Sequence, residues 1–571
     1  MESASLFVYA YNHSESEESD EDEVVVLDNK NINRKKRRRA LDTNVLKINF
    51  KCLQEVKFVT SLEPIKCSQC PAILTSNETL LNNLDGTGRK WQCSYCETGN
   101  SLSGEKDSMQ LADDTTYASE KTEEISKDID KKKEIDNEDD SIINFCIDVS
   151  GSMGQSVMTS KEENKTVYVS RLDATKAAIL NQLEELSKVK PNIKVGITTF
   201  GSSLDYKGNG FFSRKKIRDK LVLNDKQKLL KIGPRLSPPQ AIKSSLSNLI
   251  AIVKKCHLKG MTALGPALLL CTSATAKYRG SKVILCTDGM ANVGLGSLVN
   301  YTSEDDIRKA EEFYRFVSTY ANEIGTSISI LAISGGECRL AELGSVAANT
   351  NGQVNIVDPN DLGEEFKAIL QDSIVGTHVR ATVVLPKGFY IRDYMALDNK
   401  SIFHKTFDIG TATASTEFTL EYGLNTTNIE TDSVKFQLII EYKNKKGSSI
   451  IRVIEKQMKI TRDRKKAEEK IDMNVWTVNA MQQGGRLHER GNVHLAASKM
   501  RAAKSYLDHR PMSSSFSKNF VAQAVGDYID ALDDECNDHS SAPLKAKRSD
   551  QRSKNLFTNM NFKSQNLKEL C

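Results

Sequence analysis

Four short apolar segments between residues 141 and 376 constrain the fold more than any other feature of the sequence. Each segment is continuously apolar rather than alternating, as expected of parallel strands that are covered on both faces. An amphipathic helix is predicted between the first two segments, over Arg171–Ser187, because apolar residues recur there at helical spacing. Strands that alternate with helices predict a doubly wound, Rossmann-like α/β domain over 141–376. The four segments are IINFCI (142–147), VGITTF (195–200), KVILCT (282–287) and SISILAI (327–333).

Regions of different composition flank this domain, so we predict a multidomain chain. Strict alternation of apolar residues in SVKFQLIIEY (433–442) favours an antiparallel β-sandwich over 377–462. The stretch HLAASKMRAAKSYL is typical of a helix and predicts a helical region over 463–536. Charge blocks that cannot bury apolar surface predict disorder at both ends. The remaining expected segments are a disordered acidic and basic tail (1–46), a zinc-finger unit (47–104), a charged linker (105–140) and a disordered basic tail (537–571).

The composition narrows the classes of partner and compartment. Lys and Arg exceed Asp and Glu by only 79 to 75, so net charge gives no reason to expect a nucleic-acid partner. The sequence shows no apolar stretch of the length that a transmembrane helix needs, and MESASLFVYA does not resemble a signal peptide. Eight of the 12 cysteines are scattered, which favours a reducing compartment, either the cytoplasm or the nucleus.

Five oxygen-bearing side chains are expected at the carboxyl ends of the predicted strands, where ligands bind in such sheets. Asp148, Ser150 and Ser152 follow the first strand in CIDVSGSMGQ, whereas Thr262 lies in KGMTALGPAL and Asp288 in KVILCTDG. Hydroxyl and carboxylate oxygens are ligands that Mg²⁺ prefers. The set therefore predicts a site for Mg²⁺ or Mn²⁺.

This set, D-x-S-x-S followed by Thr and Asp, resembles the metal-ion-dependent adhesion site of von Willebrand factor type A domains. The resemblance implies that the hydroxyls of Ser150, Ser152 and Thr262 coordinate the ion. It also implies that Asp148 and Asp288 act directly or through water, and that an acidic side chain of a protein partner fills the open position.

Two other interpretations of the same residues remain open at this point. Asp148 and the serines could cap the following helix and satisfy its free amides. A nucleophilic serine would need a histidine base, but VSGSMG lacks the G-x-S-x-G elbow and sequence places no histidine beside it. HERGNVH does not match a zinc-protease motif, because His488 and His494 are six apart rather than four. We therefore predict no enzymatic activity.

Two C-x-x-C pairs predict a second metal centre, of a different kind. Cys67 and Cys70 form the first pair and Cys93 and Cys96 the second, with 22 residues between them. Four thiolates at this spacing suit a tetrahedral Zn²⁺ site, and in a small unit the bound metal supplies much of the folding free energy. The alternative is four unlinked thiols. We predict structural Zn²⁺.

Two family resemblances follow from longer stretches. KCSQCPAIL and WQCSYCETGN, with Trp91 and Asn100, resemble the zinc finger of Sec23/Sec24-type vesicle-coat subunits, whose domain order is similar too. The complete oxygen set and the lack of a gelsolin-like module depart from that family. FCIDVSGSM, SRLDATKAAILNQLEELSK, GMTALGPALL, VILCTDGMANVGLGSL and ECRLAELGSVAANTNGQVNIVDP resemble the type A portion of circularly permutated Ras proteins, over roughly Ile142 to Asp372. No phosphate loop or N-K-x-D motif is present, so we expect no GTP binding.

The tail before residue 46 carries two short motifs. Val24, Val25, Val26 and Leu27 follow an acidic run and resemble a SUMO-interacting motif, although an incidental apolar patch explains them equally well. A run of six cations reads as a nuclear-import signal, with a solvated charge run as the alternative. These cations are Arg34, Lys35, Lys36, Arg37, Arg38 and Arg39.

Together these patterns predict an intracellular, non-enzymatic scaffold that binds a partner protein through a metal ion. One alternative is a regulator in the ubiquitin or SUMO pathway, which for ubiquitin transfer would require a reactive, exposed cysteine outside the zinc site. The other is a coat-like cargo adaptor.

Overall fold

A seven-stranded sheet forms the centre of the computed structural model, and its inner strands are those that the sequence predicted. β1, β2, β5, β6 and β7 run parallel, while β3 and β4 extend one edge as an antiparallel hairpin, in the order β4-β3-β2-β1-β5-β6-β7. The strands are β1 (Ile142–Asp148), β2 (Lys194–Phe200), β3 (Leu204–Gly208), β4 (Lys215–Ile217), β5 (Ser281–Thr287), β6 (Thr326–Ile333) and β7 (Val354–Val357).

The structure describes only part of the chain. The described residues are 7–9, 44–55, 57–76, 80–82, 89–102, 112–118, 140–162, 165–211, 214–299, 304–392, 402–424, 432–461, 463, 467, 471–509, 523, 525–533 and 542–563. The predicted SUMO-interacting residues Val24–Leu27 and the basic run 34–39 lie outside them. No helix among the described residues is long and apolar enough to cross a membrane.

Helices cover both faces of the sheet, which confirms the doubly wound α/β fold. One face carries α1, α4 and α8, and the other carries α5, α6 and α7; each face has its own apolar core. The predicted helix over Arg171–Ser187 is α1, which extends to Val189. The helices are α1 (Arg171–Val189), α2 (Lys220–Leu223), α3 (Lys226–Ile232), α4 (Ile242–Lys254), α5 (Leu264–Ala274), α6 (Glu304–Ile324), α7 (Leu340–Asn349) and α8 (Leu362–Gln371).

The predicted β-sandwich follows this domain. Its larger sheet contains Ile374–Val384, His404–Thr413, Ser433–Lys443 and Ser449–Thr461, and its smaller sheet contains Phe389–Ile391 and Glu417–Leu424. Alternate residues of Ser433–Lys443, among them Phe436, Ile440 and Tyr442, enter the core between the sheets, as the alternation indicated.

Segments from the N-terminal part of the chain complete the sandwich, which the sequence did not indicate. The predicted linker 105–140 contains the strand Asp114–Ala118, which pairs with Ile450–Ile454, so the linker prediction is wrong for these residues. Likewise Val45–Asn49, at the predicted boundary between tail and zinc finger, pairs with Glu417–Glu421. Phe7–Tyr9, in the predicted disordered tail, pairs with Lys459–Thr461.

The cysteine-bearing unit is inserted between these sandwich strands. It contains a small antiparallel sheet of Leu80–Asn82, Arg89–Gln92 and Gly99–Leu102. Buried residues of the unit, including Trp91 and Tyr95, pack against Val384, Ile439 and Val453 of the sandwich. The unit is therefore part of a continuous core rather than a separate module.

Helices form the C-terminal part, as predicted for 463–536. They are α9 (Met473–Glu489), α10 (Val493–His509), α11 (525–533) and α12 (Ala542–Met560). The prediction of a disordered tail over 537–571 is wrong for α12, because α12 packs on α7. The carboxylate of Asp550 accepts hydrogen bonds from the amides of Cys338 and Leu340 at 2.7 and 2.6 Å, and the ring of Phe557 lies against Gly344.

Candidate functional site

The five predicted oxygen residues lie at one edge of the central sheet. Asp148 is the last residue of β1 and lies opposite Phe200, the last residue of β2. β5 runs beside β1 in the same direction and ends at Thr287, immediately before Asp288. Parallel strands bring their carboxyl ends to a common edge of the sheet, so Asp148 and Asp288 lie near each other. The hydroxyl of Thr287, at the end of β5, bonds to Asp148 although the two residues are 139 positions apart in sequence.

Backbone hydrogen bonds join the three loops that carry these residues. The amide of Lys259 donates to the carbonyl of Val149 at 2.6 Å, and the amide of Gly151 donates to the carbonyl of Gly260 at 2.8 Å. The amide of Asn292 donates to the carbonyl of Thr262 at 3.0 Å, and the Asn292 side chain accepts from the Thr262 amide at 2.7 Å. The loop with Thr262 is thus held between the loops that follow β1 and β5.

The side chains form a connected set of oxygens. The hydroxyls of Ser150 and Ser152 are 3.0 Å apart, and Ser152 donates to Asp288 Oδ1 at 2.6 Å. Asp148 accepts from the Ser150 amide at 2.7 Å and from the Thr287 hydroxyl at 2.6 Å. Asp148, Ser150, Thr262 and Asp288 are all buried. The structure therefore brings the predicted residues together, with Thr287 as an additional partner.

Arg171 is the member of the site that sequence reasoning missed. Its guanidinium donates from Nη1 to Asp288 Oδ2 at 2.7 Å, and both side chains are buried. A Cβ atom at Gly335 would lie 2.4 Å from Arg171 Nη2, so the glycine lets the guanidinium approach the backbone closely there. Arg171 begins α1, and no local pattern distinguishes it from a surface cation on that helix.

The electrostatics of Asp148 reflect its burial. Loss of solvation raises the pKa of Asp148 to about 7, hydrogen bonds from Thr287 and Ser150 oppose this, and the neighbouring charge of Asp288 adds to it. A buried carboxylate with a raised pKa is stabilised in its charged form by a bound cation. The hard oxygen donors present fit a divalent cation such as Mg²⁺.

Neither of the alternative interpretations of the serines agrees with the contacts. α1 begins at Arg171 and its cap is Ser170, so the serines do not cap that helix, and Ser150 makes no side-chain capping bond to the 3₁₀ turn Gly151–Gly154. In the described part of the chain, the hydroxyls of Ser150 and Ser152 contact each other, Ser152 donates to Asp288, and the His257 ring contacts the Lys255 carbonyl. This is not the pairing of hydroxyl and imidazole that nucleophilic catalysis requires.

The four predicted cysteine ligands also come together. The ligand atoms of Cys67, Cys70, Cys93 and Cys96 all lie within 4.8 Å of one another, and this is the only group of three or more His, Cys, Asp or Glu residues so placed within the described residues. His488 and His494 are accordingly not part of such a group. The cysteines form a group that could hold a metal ion.

Contacts of these sulfurs change the pKa values of two thiols and orient a third. A contact between Cys70 and Cys93, with sulfurs 3.7 Å apart, lowers the pKa of Cys93 to about 5 and raises that of Cys70. The Asn100 side chain donates to Cys67 Sγ at 3.5 Å and accepts from the Ser68 amide at 2.9 Å. Asn100 thereby orients the first knuckle, as partners of metal ligands commonly do.

The cysteines outside this cluster are buried or have raised pKa values. Burial raises the pKa of Cys52 to about 11, and it also raises the pKa values of Cys146, Cys286 and Cys338. Cys256 and Cys271 are buried. The described residues thus include no exposed thiol with a lowered pKa outside the cluster; Cys536 and Cys571 lie outside the described residues.

Comparison with known proteins shows which family the central domain is similar to. Residues 159–374 match the model of the Sec23/Sec24 trunk domain, a type A-like fold. The match begins after the loop 148–154, so it covers Thr262 and Asp288 but not the first three oxygen residues.

Individual relatives are similar to this chain over more residues than the trunk match covers. The chain is 27% identical over 485 residues to Circularly permutated Ras protein 1 of Dictyostelium discoideum, which covers 80% of this chain and 56% of that protein. It is 22% identical over 329 residues to Protein transport protein SEC24-2 of Naumovozyma castellii, covering 52% of this chain and 33% of that protein. The chain thus spans about half the length of the first relative and a third of the second.

A solved structure shows that the likeness in fold includes more than the trunk. The human COPII-coat protein Sec24c aligns with 90% of this chain and 70% of its own length, with a TM-score of 0.57 and 12% identity. At this level of identity the comparison establishes the fold alone.

Proposed function

We propose that this chain is an intracellular protein-interaction scaffold that captures an acidic side chain of a partner through Mg²⁺ or Mn²⁺ at the edge of the central sheet. The observation that carries the proposal is the connected set of oxygens from Ser150 through Ser152 to Asp288, with Asp148 beside it. Two loops distant in sequence supply this set, and backbone hydrogen bonds hold the loop of Thr262 between them.

The residues of the site would have two different roles in binding the ion. The hydroxyls of Ser150, Ser152 and Thr262 supply neutral ligands, and Asp148 and Asp288 supply charge, directly or through water. The ion supplies an electrophilic position for a partner's carboxylate. Arg171 already pairs with one oxygen of Asp288, so the charges of the ion and of Arg171 together exceed those of the two carboxylates, and the site would attract a partner's carboxylate.

The cysteine cluster is proposed to bind structural Zn²⁺. Zn–S bonds of about 2.3 Å in a tetrahedron place sulfurs about 3.8 Å apart. The sulfur separations of 3.5 Å for Cys67 and Cys96 and 3.7 Å for Cys70 and Cys93 suit this geometry. Zn²⁺ would hold the two knuckles against the sandwich, where Tyr95 donates to Glu455 at 2.7 Å.

A direct metal measurement tests the first proposal. EDTA would also extract Zn²⁺, so Mg²⁺ should be omitted by desalting, and thermal stability of the full chain should be followed as Mg²⁺ or Mn²⁺ is added. We expect the wild type to be stabilised by added metal and Asp148→Asn not to respond. Glu184→Gln, an exposed carboxylate on α1, is the matched control and should respond like the wild type. Equal responses of the wild type and Asp148→Asn would reject a metal at this site.

The binding step needs its own readout. Partner capture from lysate should be compared with and without Mg²⁺ at constant Zn²⁺, again with Asp148→Asn alongside. Capture of the same proteins under all conditions would remove the metal from the binding mechanism.

A coat or cargo adaptor is the second candidate function. The alignment with Sec24c favours it, because it covers 90% of this chain and so extends well beyond the trunk. Recruitment of the full chain to membranes in cell fractionation would support this role. A role in ubiquitin or SUMO regulation stays a prediction, and thiol trapping with activated ubiquitin would test the transfer step.

A further inference from the structure

Two basic segments lie beside the proposed metal site, and together we call them the basic rim. They are RKKIRDK, residues 214–220, and KKCHLK, residues 254–259. The first contains five Lys or Arg residues and the second contains three, against a single carboxylate, Asp219. The excess of positive charge is local, because the whole chain has a net charge of only +4.

Strand pairing places the rim at the same edge as the metal site. Phe200 pairs with Asp148 on one side and with Leu204 on the other, and Leu204 in turn pairs with Ile217 of β4. Three strand spacings of about 4.8 Å therefore separate β4 from β1, or roughly 15 Å. The second segment is closer still, since Lys259 donates its amide to Val149, the residue after Asp148.

Among the residues that the structure describes, only two cations of the rim form ion pairs. The buried carboxylate of Asp205 forms ion pairs with Arg214 and Lys259. Lys215, Lys216 and Arg218 are exposed. Partial desolvation, followed by the positive charges of Arg218 and Lys259, lowers the pKa of Lys216, so these cations are close enough to repel one another.

Two exposed apolar side chains lie in or next to the second segment of the rim, close in sequence to Thr262 of the metal site. Met261, the neighbour of Thr262, is 52% exposed, and Leu258 is 45% exposed. Leu258 lies over the loop that follows β1, since a Cβ atom at Gly154 would come within 2.6 Å of Leu258 Cδ1. Apolar side chains that stay exposed beside a polar site are typical of protein-interaction surfaces.

We propose that the basic rim, Leu258 and Met261 extend the metal site into a groove for an extended acidic segment of a partner protein. The partner's metal-directed carboxylate would lie at one end and its acidic run on β4 at the other. An extended chain advances about 3.3 Å per residue, so roughly four to five residues span the distance, and a bulky apolar residue between the two ends would contact Leu258 and Met261. This inference rests on the proposed function and specifies its partner.

The apolar pair favours a peptide over other polyanions. A nucleic acid or an anionic membrane would contact the same cations through its phosphates. Its binding would not depend on the two apolar side chains, Leu258 and Met261. Electrostatic attraction of this kind also makes binding sensitive to ionic strength.

Fluorescence anisotropy with a defined probe tests the groove. The probe is a labelled peptide with one Glu, then a Leu, then a run of Asp and Glu, and the protein is the full chain in Mg²⁺. Lys216→Glu combined with Arg218→Glu should weaken binding at least tenfold and reduce its dependence on salt, and Met261→Ser should weaken binding several-fold. Lys188→Glu combined with Lys243→Glu reverses two exposed charges at the opposite edge and should leave binding unchanged.

The outcomes separate this inference from the proposed function. Thermal melting and Mg²⁺ response of the rim variant must match the wild type, which shows that the metal site is intact. Unchanged peptide affinity in that variant overturns the groove, whatever Asp148→Asn does. If peptide binding does not depend on Mg²⁺, the metal has no role in binding, and the rim variant alone then decides whether the groove exists. Tighter binding of a single-stranded oligonucleotide or phosphatidylserine vesicles than of the peptide, with no effect of Met261→Ser, also overturns the peptide groove.

Discussion

The two candidate metal centres differ in how the fold brings their ligands together. In the cysteine cluster four identical ligands come from two short knuckles close in sequence, and the surrounding unit is small. At the sheet edge, the ligands come from three distant loops that a large core already supports. There the ligands also bond to one another and to Arg171. The first site should therefore need its metal in order to fold, whereas the second should fold without metal and use it for binding.

The largest effect is expected from removing a cysteine ligand. Cys70→Ser should lose Zn²⁺ and destabilise the cysteine-bearing unit by several kcal/mol, because metal binding supplies much of the folding free energy of such units. Metal content by mass spectrometry and limited proteolysis within residues 57–102 measure this. Cys52→Ser, which changes a thiol outside the cluster, should keep its metal. A Cys70→Ser protein with normal protease resistance would contradict the distinction between the centres.

The next largest effect is expected at Asp148. Asp148→Asn should abolish stabilisation by Mg²⁺ while leaving Zn²⁺ content and the unfolding temperature of the metal-free protein nearly unchanged. The reason is that Asn keeps the size of the side chain and removes a buried charge. Calorimetry with and without Mg²⁺ provides the measurement. A collapse of the fold in Asp148→Asn would show that this site, too, is structural.

A smaller change in metal affinity is expected at Arg171. Unit charges about 4 Å apart interact by about 4 kcal/mol at an effective dielectric constant of 20, so a guanidinium on Asp288 should oppose cation binding. Arg171→Met should therefore tighten Mg²⁺ binding by at least about tenfold in titration calorimetry. Arg171→Lys retains the charge and should bind Mg²⁺ like the wild type. Weaker Mg²⁺ binding by Arg171→Met would mean that Arg171 mainly positions Asp288.

The smallest effect concerns pH. The pKa of Asp148 is raised to about 7, so the metal-free folded state holds a proton that the unfolded state releases near pH 4. This group's contribution to stability consequently falls as pH rises from about 4 to about 7. Because Mg²⁺ binds the carboxylate and competes with that proton, its affinity should increase by up to about tenfold per pH unit below 7 and level off above it. Titrations between pH 6 and 8 test this, and a pH-independent affinity would contradict it.

Much of the trunk and both candidate sites could be predicted from the sequence. Continuous apolar runs identify β1, β2, β5 and β6 because burial on both faces leaves a local signature. The spacing of Cys67, Cys70, Cys93 and Cys96 is equally local. α12 was missed because its residues are mostly polar, and its anchors Asp550 and Phe557 become recognisable only once α7 is beside them.

The sequence by itself determined which segments form strands and helices and which residues carry metal-binding chemistry, since periodicity and residue type are properties of short segments. Only the tertiary structure decided that Val45–Asn49 pairs with Glu417–Glu421, and that Arg171 meets Asp288. It also decided that a basic rim lies beside the oxygen site. These contacts join residues far apart in sequence, and their partners are selected by the packing of the whole chain rather than by any local pattern.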